Sequence, residues 1–346
     1  MTGAVLAIRP RALGDVVLVT PALRALKRGF PGSSLEVVTE RRYAPLLEGL
    51  EFVDQVRAVD RTWRATAALI AALRRRGIER VVDFFGNPRT AAIAALCGAR
   101  FSAGYALRGR SAAYRVQVPR ALTFADGRRE HASATHVRLA AAAGGVADGL
   151  DARVAVSSAA REAAAPLLAA ARVADSGRTI GLVAAGTWPT KTWPLSHAAM
   201  LARRLLEAGH AVLAILGPGE ERTGQDLIAL APGVTALPPC DVGVLAAVIE
   251  RLAAVVGTDS GPRHLAAALG IPTFAWFGPT HPDTWNPPGD LHGFVRTELP
   301  CRACDRTRCP HWNCMPGLAP EDVSHRVLDH LARHGRTSAL GTAARA

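Results

Sequence analysis

Short apolar runs alternate along the chain with longer stretches in which apolar residues recur at helical spacing. Residues 5–8 form an apolar run that reads as a strand. A glycine-bearing loop follows, then an apolar helix to about Arg28, stopped by Gly29-Phe30-Pro31-Gly32. Residues 35–39 are the next strand. Residues 64–76 carry a helical pattern that ends in Arg74, Arg75 and Arg76 and stops at Gly77. Cations in the last turn with glycine just beyond mark a helix C-terminus. Residues 81–84 are again strand-like, and residues 90–97 are helical. This βαβα rhythm predicts a parallel sheet with helices on both faces.

The rhythm pauses between about residues 156 and 178, where the chain is alanine-rich. Pro166 and the Asp175-Ser176-Gly177 turn suit a domain junction there. A second series follows. Its strands are expected over 180–184, 211–216, 254–256 and 273–276, and its helices over 195–206, 221–230, 242–252 and 262–269. Residues 291–314 read as irregular, and Pro320–His334 as a terminal helix. The pattern therefore predicts two α/β domains in series, residues 1–165 and 176–318, with a terminal helix over 319–336. The length of 346 residues fits about two domains. Doubly wound sheets bind ligands at the carboxyl ends of their strands. Two such domains facing each other would form a cleft with two strand-end rims, suited to bringing two substrates together.

Composition narrows the function. Hydrophobic residues make up 49% and charged residues 20%, which excludes a disordered or collagen-like chain. Lys plus Arg number 41 against 29 Asp plus Glu, a formal charge of +12. Such a surplus points to acidic partners: phosphates, carboxylated sugars, an anionic membrane face or nucleic acid. Arg61, Arg64, Arg89 and Arg108 fall in or beside expected loops and suit an acidic acceptor. Apart from Trp63, no aromatic residues interleave with them, so no nucleic-acid partner is expected. No run approaches the ~18 apolar residues of a membrane span. Arg9, Arg11 and Asp15 interrupt any signal-peptide core, so a cytoplasmic location is expected.

Five constellations carry candidate chemistry. Gly14 and Asp15 follow the first strand, where the first helix should begin. An aspartate there caps the helix, and an ordinary cap explains it as well as a general base does. Gly186-Thr187-Trp188-Pro189-Thr190-Lys191 follows strand 180–184, with Lys191 placed to contact phosphate. Trp193 fits packing better than stacking on a base. Gly217-Pro218-Gly219-Glu220-Glu221 follows strand 211–216, and a glycine-rich turn with an acid can hold a ribose. It is not the dinucleotide GxGxxG pattern. Asp259-Ser260-Gly261-Pro262-Arg263-His264 opens a helix, and free N–H groups at a helix N-terminus make an anion site. The alternative is an ordinary loop with a packed His264. Finally, Cys301, Cys304, Cys309 and Cys314 crowd one short stretch. They suit a structural zinc, two disulfides or plain free thiols.

In this order these segments resemble glycosyltransferase family 9, the ADP-heptose:lipopolysaccharide heptosyltransferases. The resemblance runs nearly end to end. It rests on IRPRALGDVVLVTPALRALKRGFPGSSLEVVTE, YAPLLEG, VVDFFGNPRTAAIAALCGA, GTWPTKTWPLSHAAMLARRL and, most specifically, VVGTDSGPRHLAAALGIPTFAWFGPT. CRACDRTRCPHWNCM is similar to a Cys-rich segment of many members.

The resemblance implies a GT-B fold, two Rossmann-like domains with parallel sheets facing a central cleft, and a terminal helix returning to the first domain. It implies inverting transfer of heptose from ADP-heptose to the inner core of lipopolysaccharide, with no catalytic metal. Asp15, beside Gly14, matches the proposed base. Thr187 and Lys191 match the donor diphosphate side, Glu220 or Glu221 the ribose side, and Asp259, Ser260, Gly261 and His264 the donor-sugar and phosphate loop. Many members carry a small or apolar residue and then a polar one before this His; Pro262-Arg263 fits that pattern only loosely, and Arg263 is expected to alter donor contacts. The acceptor would be an acidic glycolipid at the inner face of the inner membrane, which suits the +12 charge and a peripheral location. The rivals are a member using another nucleotide sugar or acceptor, and a non-catalytic basic protein binding nucleic acid or an anionic surface.

Overall fold

The computed structural model describes residues 3–173 and 177–335. Asp175 and Ser176 of the expected junction turn, and Arg336, lie outside the described residues. The chain divides into two units, Met1–Val156 and Ser157–Ala346.

The first unit runs β1 (Ala4–Ile8), α1 (Leu13–Leu18), α2 (Thr20–Gly29), β2 (Leu35–Glu40), β3 (Gln55–Val59), α3 (Trp63–Arg76), β4 (Ile78–Asp83), α4 (Pro88–Leu96), β5 (Phe101–Tyr105), β6 (Val116–Val118) and α5 (Ala132–Ala142). All five strand pairings are parallel, in the order β3-β2-β1-β4-β5-β6. β1 is buried along its whole length, as a central strand covered on both faces must be. α3 ends as its sequence dictates. Thr62 caps its start, and Gly77 closes it at φ 74°, a left-handed conformation that costs glycine little. The chain reverses its winding between β1 and β4, and Ile8 lies opposite Asp83 there. The loops after these two strands are therefore neighbours.

The second unit runs α6 (Ser158–Ala170), β7 (Thr179–Val183), α7 (Leu195–Glu207), β8 (Ala211–Ala214), α8 (Glu221–Leu230), β9 (Thr235–Ala236), α9 (Val242–Glu250), β10 (Ala254–Thr258), α10 (Gly261–Ala268), β11 (Thr273–Phe277), α11 (Pro282–Trp285), β12 (His292–Arg296) and α12 (Pro320–His334). Its strand order is β12-β11-β10-β7-β8-β9. Counted from its own first strand this is the same doubly wound order as the first unit, with the switch between β7 and β10. Gly257 of β10 lies opposite Val183 of β7. A Cβ on Gly257 would run into the Val183 carbonyl oxygen and stand 2.7 Å from Val183 Cβ. Only glycine lets the two strand ends meet this closely.

The structure departs from the sequence reading in several places. α6 runs through Pro166, and the division of the chain falls before it, at Val156, rather than at 165–176. β12 lies inside the stretch expected to be irregular. It is a short edge strand, anchored by a 3.1 Å hydrogen bond between Thr273 Oγ1 and His292 Nδ1. α12, expected to return to the first domain, packs on α7, β11 and β12 of the second unit. Its Val323, Val327 and Leu331 join the core that holds Trp193 and Trp276. Those two rings stand 4.7 Å apart, and Trp193 Nε1 donates to Leu318 O at 3.0 Å. Trp193 thus packs, as its sequence setting suggested.

Candidate functional site

In the first unit the switch-point crevice is built around Asp15. Leu13-Gly14-Asp15 forms the first turn of α1, and Ala12 N donates to Asp15 Oδ2 at 3.3 Å. The capping role read from sequence is real. Asp15 Oδ1 is ion-paired with Arg9 Nη2. Arg9 is only 2% exposed. Its Nη1 donates to Phe84 O at the end of β4, and its guanidinium lies 5.3 Å over the Phe85 ring. The Asp15 side chain keeps 30% of its surface exposed. A carboxylate with two anchored oxygens and an open face is positioned yet accessible to a proton donor.

A second carboxylate lies on the neighbouring strand, opposite Ile8. Asp83, at the end of β4, is fully buried and accepts from Tyr114 Oη at 2.6 Å, Phe85 N at 2.9 Å and Gly86 N at 3.0 Å. Burial pushes its carboxyl up, against these hydrogen bonds. Burial also pushes the Tyr114 hydroxyl far up, with the Asp83 charge adding to it. The expected acceptor arginines divide. Arg64 and Arg108 are exposed. Arg61 sits 3.5 Å from Glu40, and Arg89 Nη1 donates to Asp60 O at 3.3 Å.

In the second unit, Lys191 after β7 and Asp259 after β10 meet across the switch point. Lys191 Nζ lies 2.9 Å from Asp259 Oδ2, which also accepts from Thr280 Oγ1 at 3.0 Å. Arg263 Nη1 stands 3.8 Å and His264 Nε2 3.5 Å from the other oxygen, Oδ1. Burial alone would raise the Asp259 carboxyl, but Lys191, His264 and Arg263 hold it far below the usual carboxylate range. Burial lowers His264 despite Asp259, so the imidazole is neutral near pH 7. Burial pulls Arg263 down to about 10, against Asp259, and it stays charged. One buried carboxylate thus faces two cationic side chains.

The loop that opens α10 is also unsatisfied. Ser260 occupies the N-cap position but makes no capping hydrogen bond. Among the described residues, Asp259 Oδ1, Ser260 Oγ, Arg263 Nε and Nη1, and His264 Nδ1 are buried polar atoms without a hydrogen-bond partner. Five such atoms on six consecutive residues contrast with ordinary interiors, where buried polar groups are paired. A surplus of positive charge beside an uncapped helix N-terminus is an arrangement for holding an anion.

The remaining candidates fall around this loop or apart from it. Thr187 is exposed on the turn before Lys191. Glu220 folds back to accept from Gly217 N at 2.7 Å, and Glu221 accepts from Gly219 N at 3.2 Å. Both carboxylates brace their own turn. The four cysteines Cys301, Cys304, Cys309 and Cys314 are free thiols that line one cavity of about 450 Å³. Among the described residues no three His, Cys, Asp or Glu side chains are gathered around one point. Their segment braces the Lys191 turn. Thr190 Oγ1 donates to Arg306 O at 2.7 Å, and Trp312 Nε1 donates to Thr190 O at 3.2 Å.

The family model for glycosyltransferase family 9 (heptosyltransferase) matches residues 66–314, well over half of the chain. This chain belongs to glycosyltransferase family 9. Among its relatives, lipopolysaccharide heptosyltransferase 1 of Pseudomonas aeruginosa is 33% identical over 126 residues, 36% of each chain. The same-named protein of Escherichia coli O18:K1:H7 is 25% identical over 316 residues, 86% of this chain and 91% of its own. The matches to the first curated relatives span about a third of those proteins' length. In fold, the chain is similar to a family 9 glycosyltransferase from Veillonella parvula, with a TM-score of 0.82 over 96% of this chain and 98% of that one at 20% identity. The two Rossmann-like units are those of the GT-B fold. No helix among the described residues is long and apolar enough to cross a membrane.

Sequence reasoning missed Arg9 as the partner of Asp15, the buried Asp83 at the end of β4, and Thr280 and Gly257 around Asp259. Arg9 had a signal, a charged residue closing an apolar strand one loop before a candidate acid. Asp83 had a similar one in Val81-Val82-Asp83. Thr280 sits in a different loop, and no spacing rule links it to Asp259.

Proposed function

We propose that this chain is an inverting glycosyltransferase that moves heptose from ADP-heptose to the inner core of lipopolysaccharide. The reading is carried by the unsatisfied, positively charged loop Asp259–His264 with Lys191 beside it, in a chain of family 9. A nucleoside diphosphate is the anion that such a loop suits. Lys191, Ser260 and the α10 N-terminus at Gly261 hold the diphosphate, with Thr187 at its edge. His264 offers its neutral imidazole to the donor sugar side, and Glu220 or Glu221 turns from its backbone bond toward the ribose. In the reaction the acceptor hydroxyl oxygen forms the new bond to the anomeric carbon. The bond from that carbon to the diphosphate oxygen breaks, ADP leaves with the electron pair, and the hydroxyl proton passes to Asp15. Fixed cations at the departing diphosphate stabilise the charge that develops there. No metal is assigned to this step. The acceptor is an acidic glycolipid, reached at the inner membrane face by a protein carrying +12 charge.

The test is ADP release by the purified protein, given ADP-heptose and a lipid A acceptor bearing two octulosonate residues, with chelator present. Acceptor-dependent release is the expected result. Release only from a mono-heptosylated acceptor would move the assignment to the second transfer. Binding of ADP without release from either acceptor would reject the heptose donor or this acceptor. Salt-sensitive binding to duplex DNA, with no preference for ADP, would reject the enzyme reading.

A further inference from the structure

Arg263 stands in the loop that opens α10, and the structure gives it a distinctive setting. It is fully buried on the first turn of α10, with its guanidinium 5.3 Å over the Phe277 ring. Its Nη2 donates to Asn286 Oδ1 at 2.6 Å, and Asn286 Nδ2 donates onward to His292 O at 2.7 Å. The head group is therefore fixed. Its Nη1, 3.8 Å from Asp259 Oδ1, and its Nε have no hydrogen bond. Lys191 sits on the opposite oxygen of the same carboxylate. Its side chain is 14% exposed, and its Nζ lies 5.1 Å over the Trp188 ring. Asp259 is thus shared between a fully buried, anchored cation and a partly exposed one.

We propose that Arg263 is a positioning residue that serves as the standing counter-charge of Asp259, so that Lys191 is free to leave that carboxylate for the diphosphate of a bound nucleotide. A buried carboxylate with one lysine as its sole cation holds that lysine tightly, because removing one member of a buried pair leaves the other uncompensated. With Arg263 fixed on the other side, Asp259 remains compensated when Lys191 swings away on its flexible stem. A guanidinium suits this post, being permanently charged and weakly hydrated. The inference rests on the donor-site reading and adds to it a role for the buried arginine beside Asp259.

The experiment is calorimetric titration with ADP alone on the full chain, for wild type, Arg263→Gln, Arg263→Met, Asp259→Asn and each double variant, with thermal unfolding as a folding control. Arg263→Gln keeps a donor for Asn286 and is the milder probe if Arg263→Met does not fold. Loss of the Arg263 charge should weaken ADP about tenfold or more, the scale of one charge-assisted hydrogen bond. Adding Asp259→Asn should restore affinity to within about threefold of Asp259→Asn alone, because the carboxylate that captures Lys191 is gone; such non-additivity marks coupled residues. A purely structural Arg263 would give additive losses with no rescue, and that result overturns the proposal. So does an Arg263→Gln protein that binds ADP like wild type. A wild-type protein that does not bind ADP would instead remove the donor-site reading itself, and this inference with it.

Discussion

The two halves of this chain place an aspartate beside a cation at the same topological crevice and leave the pair in opposite states. In the first unit the cation from the loop after β1 is Arg9. It is buried, and its two Nη groups are taken up by Phe84 O and Asp15. In the second the cation from the loop after β7 is Lys191, partly exposed, facing an Asp259 already flanked by Arg263. The first crevice thus presents an anchored carboxylate, 30% exposed, with its charge balanced from below. The second presents surplus positive charge around a buried carboxylate. On the proposed reading, the same strand order yields a proton acceptor in one unit and an anion holder in the other. What decides is which member of the ion pair is buried.

Substitutions that remove one partner at a time should separate the two roles. Asp15→Asn keeps the shape of the first crevice and removes its base. Transfer should fall about 10²- to 10⁴-fold, the usual range for a positioned general base. ADP affinity should stay within about twofold, since the proposed donor contacts lie elsewhere. A loss of ADP affinity equal to the loss of rate would make Asp15 structural. Lys191→Met is the mirror case. Calorimetry should show ADP binding weakened about tenfold to a hundredfold, the range for one charge-assisted contact. Unchanged binding would dissolve the contrast between the crevices.

Arg9→Met probes the hidden side of the first crevice. It strips Phe84 O of its donor and Asp15 of its counter-charge. The cost should be about 1–3 kcal/mol of first-unit stability, the penalty for orphaning a buried polar group. Transfer should drop because Asp15 is no longer held. ADP affinity should not follow. Thermal unfolding read beside calorimetry checks both halves, and a Lys191-like loss of ADP affinity would show that the crevices are not independent.

How far this could be read from sequence depends on how local the signal is. Both βαβ series, the α3 boundary at Gly77 and the loops bearing Asp15, Lys191 and Asp259 were legible, because periodicity and helix caps act over a few residues. The edge strand β12 was not. Its His292-Gly293-Phe294-Val295-Arg296 has no alternation, and it exists because β11 offers a partner. The place of α12 was also hidden, since an amphipathic helix does not announce which surface it will cover. Within the sites, the residues were legible and their partnerships were not. Asp259 with Lys191 and Thr280, and Arg9 with Phe84, join segments 21 to 75 residues apart.

The smallest effect sharpens the comparison through pH. In the second unit, burial and the nearby Arg263 charge pull His292 down to about 4. Burial also lowers His264, His330 and His210. Between those depressed values and the ordinary value of about 6.5, the unfolded chain binds more protons than the folded one. Stability of this unit should therefore fall as pH drops from about 6.5 toward about 4. Asp259 does not contribute in that window. Its depressed carboxyl adds stability that is fully present above the ordinary aspartate value of about 3.9 and is lost only below it. The first unit is balanced differently. His136 is lowered well below its ordinary value by burial, but Asp83 is raised by burial. A raised carboxyl makes the folded state bind more protons, so its contribution runs the other way. The second unit should be the more acid-labile half. Tryptophan fluorescence can follow it selectively, because five of the six tryptophans, all but Trp63, lie beyond residue 157. Its melting midpoint should fall between pH 6.5 and 4.5, by about 2–4 °C for each kcal/mol lost in a unit of this size. His292→Asn should flatten that slope. A slope unchanged by His292→Asn, or a steeper one in far-ultraviolet signals from the first unit, would mean that the buried histidines do not distinguish the two halves.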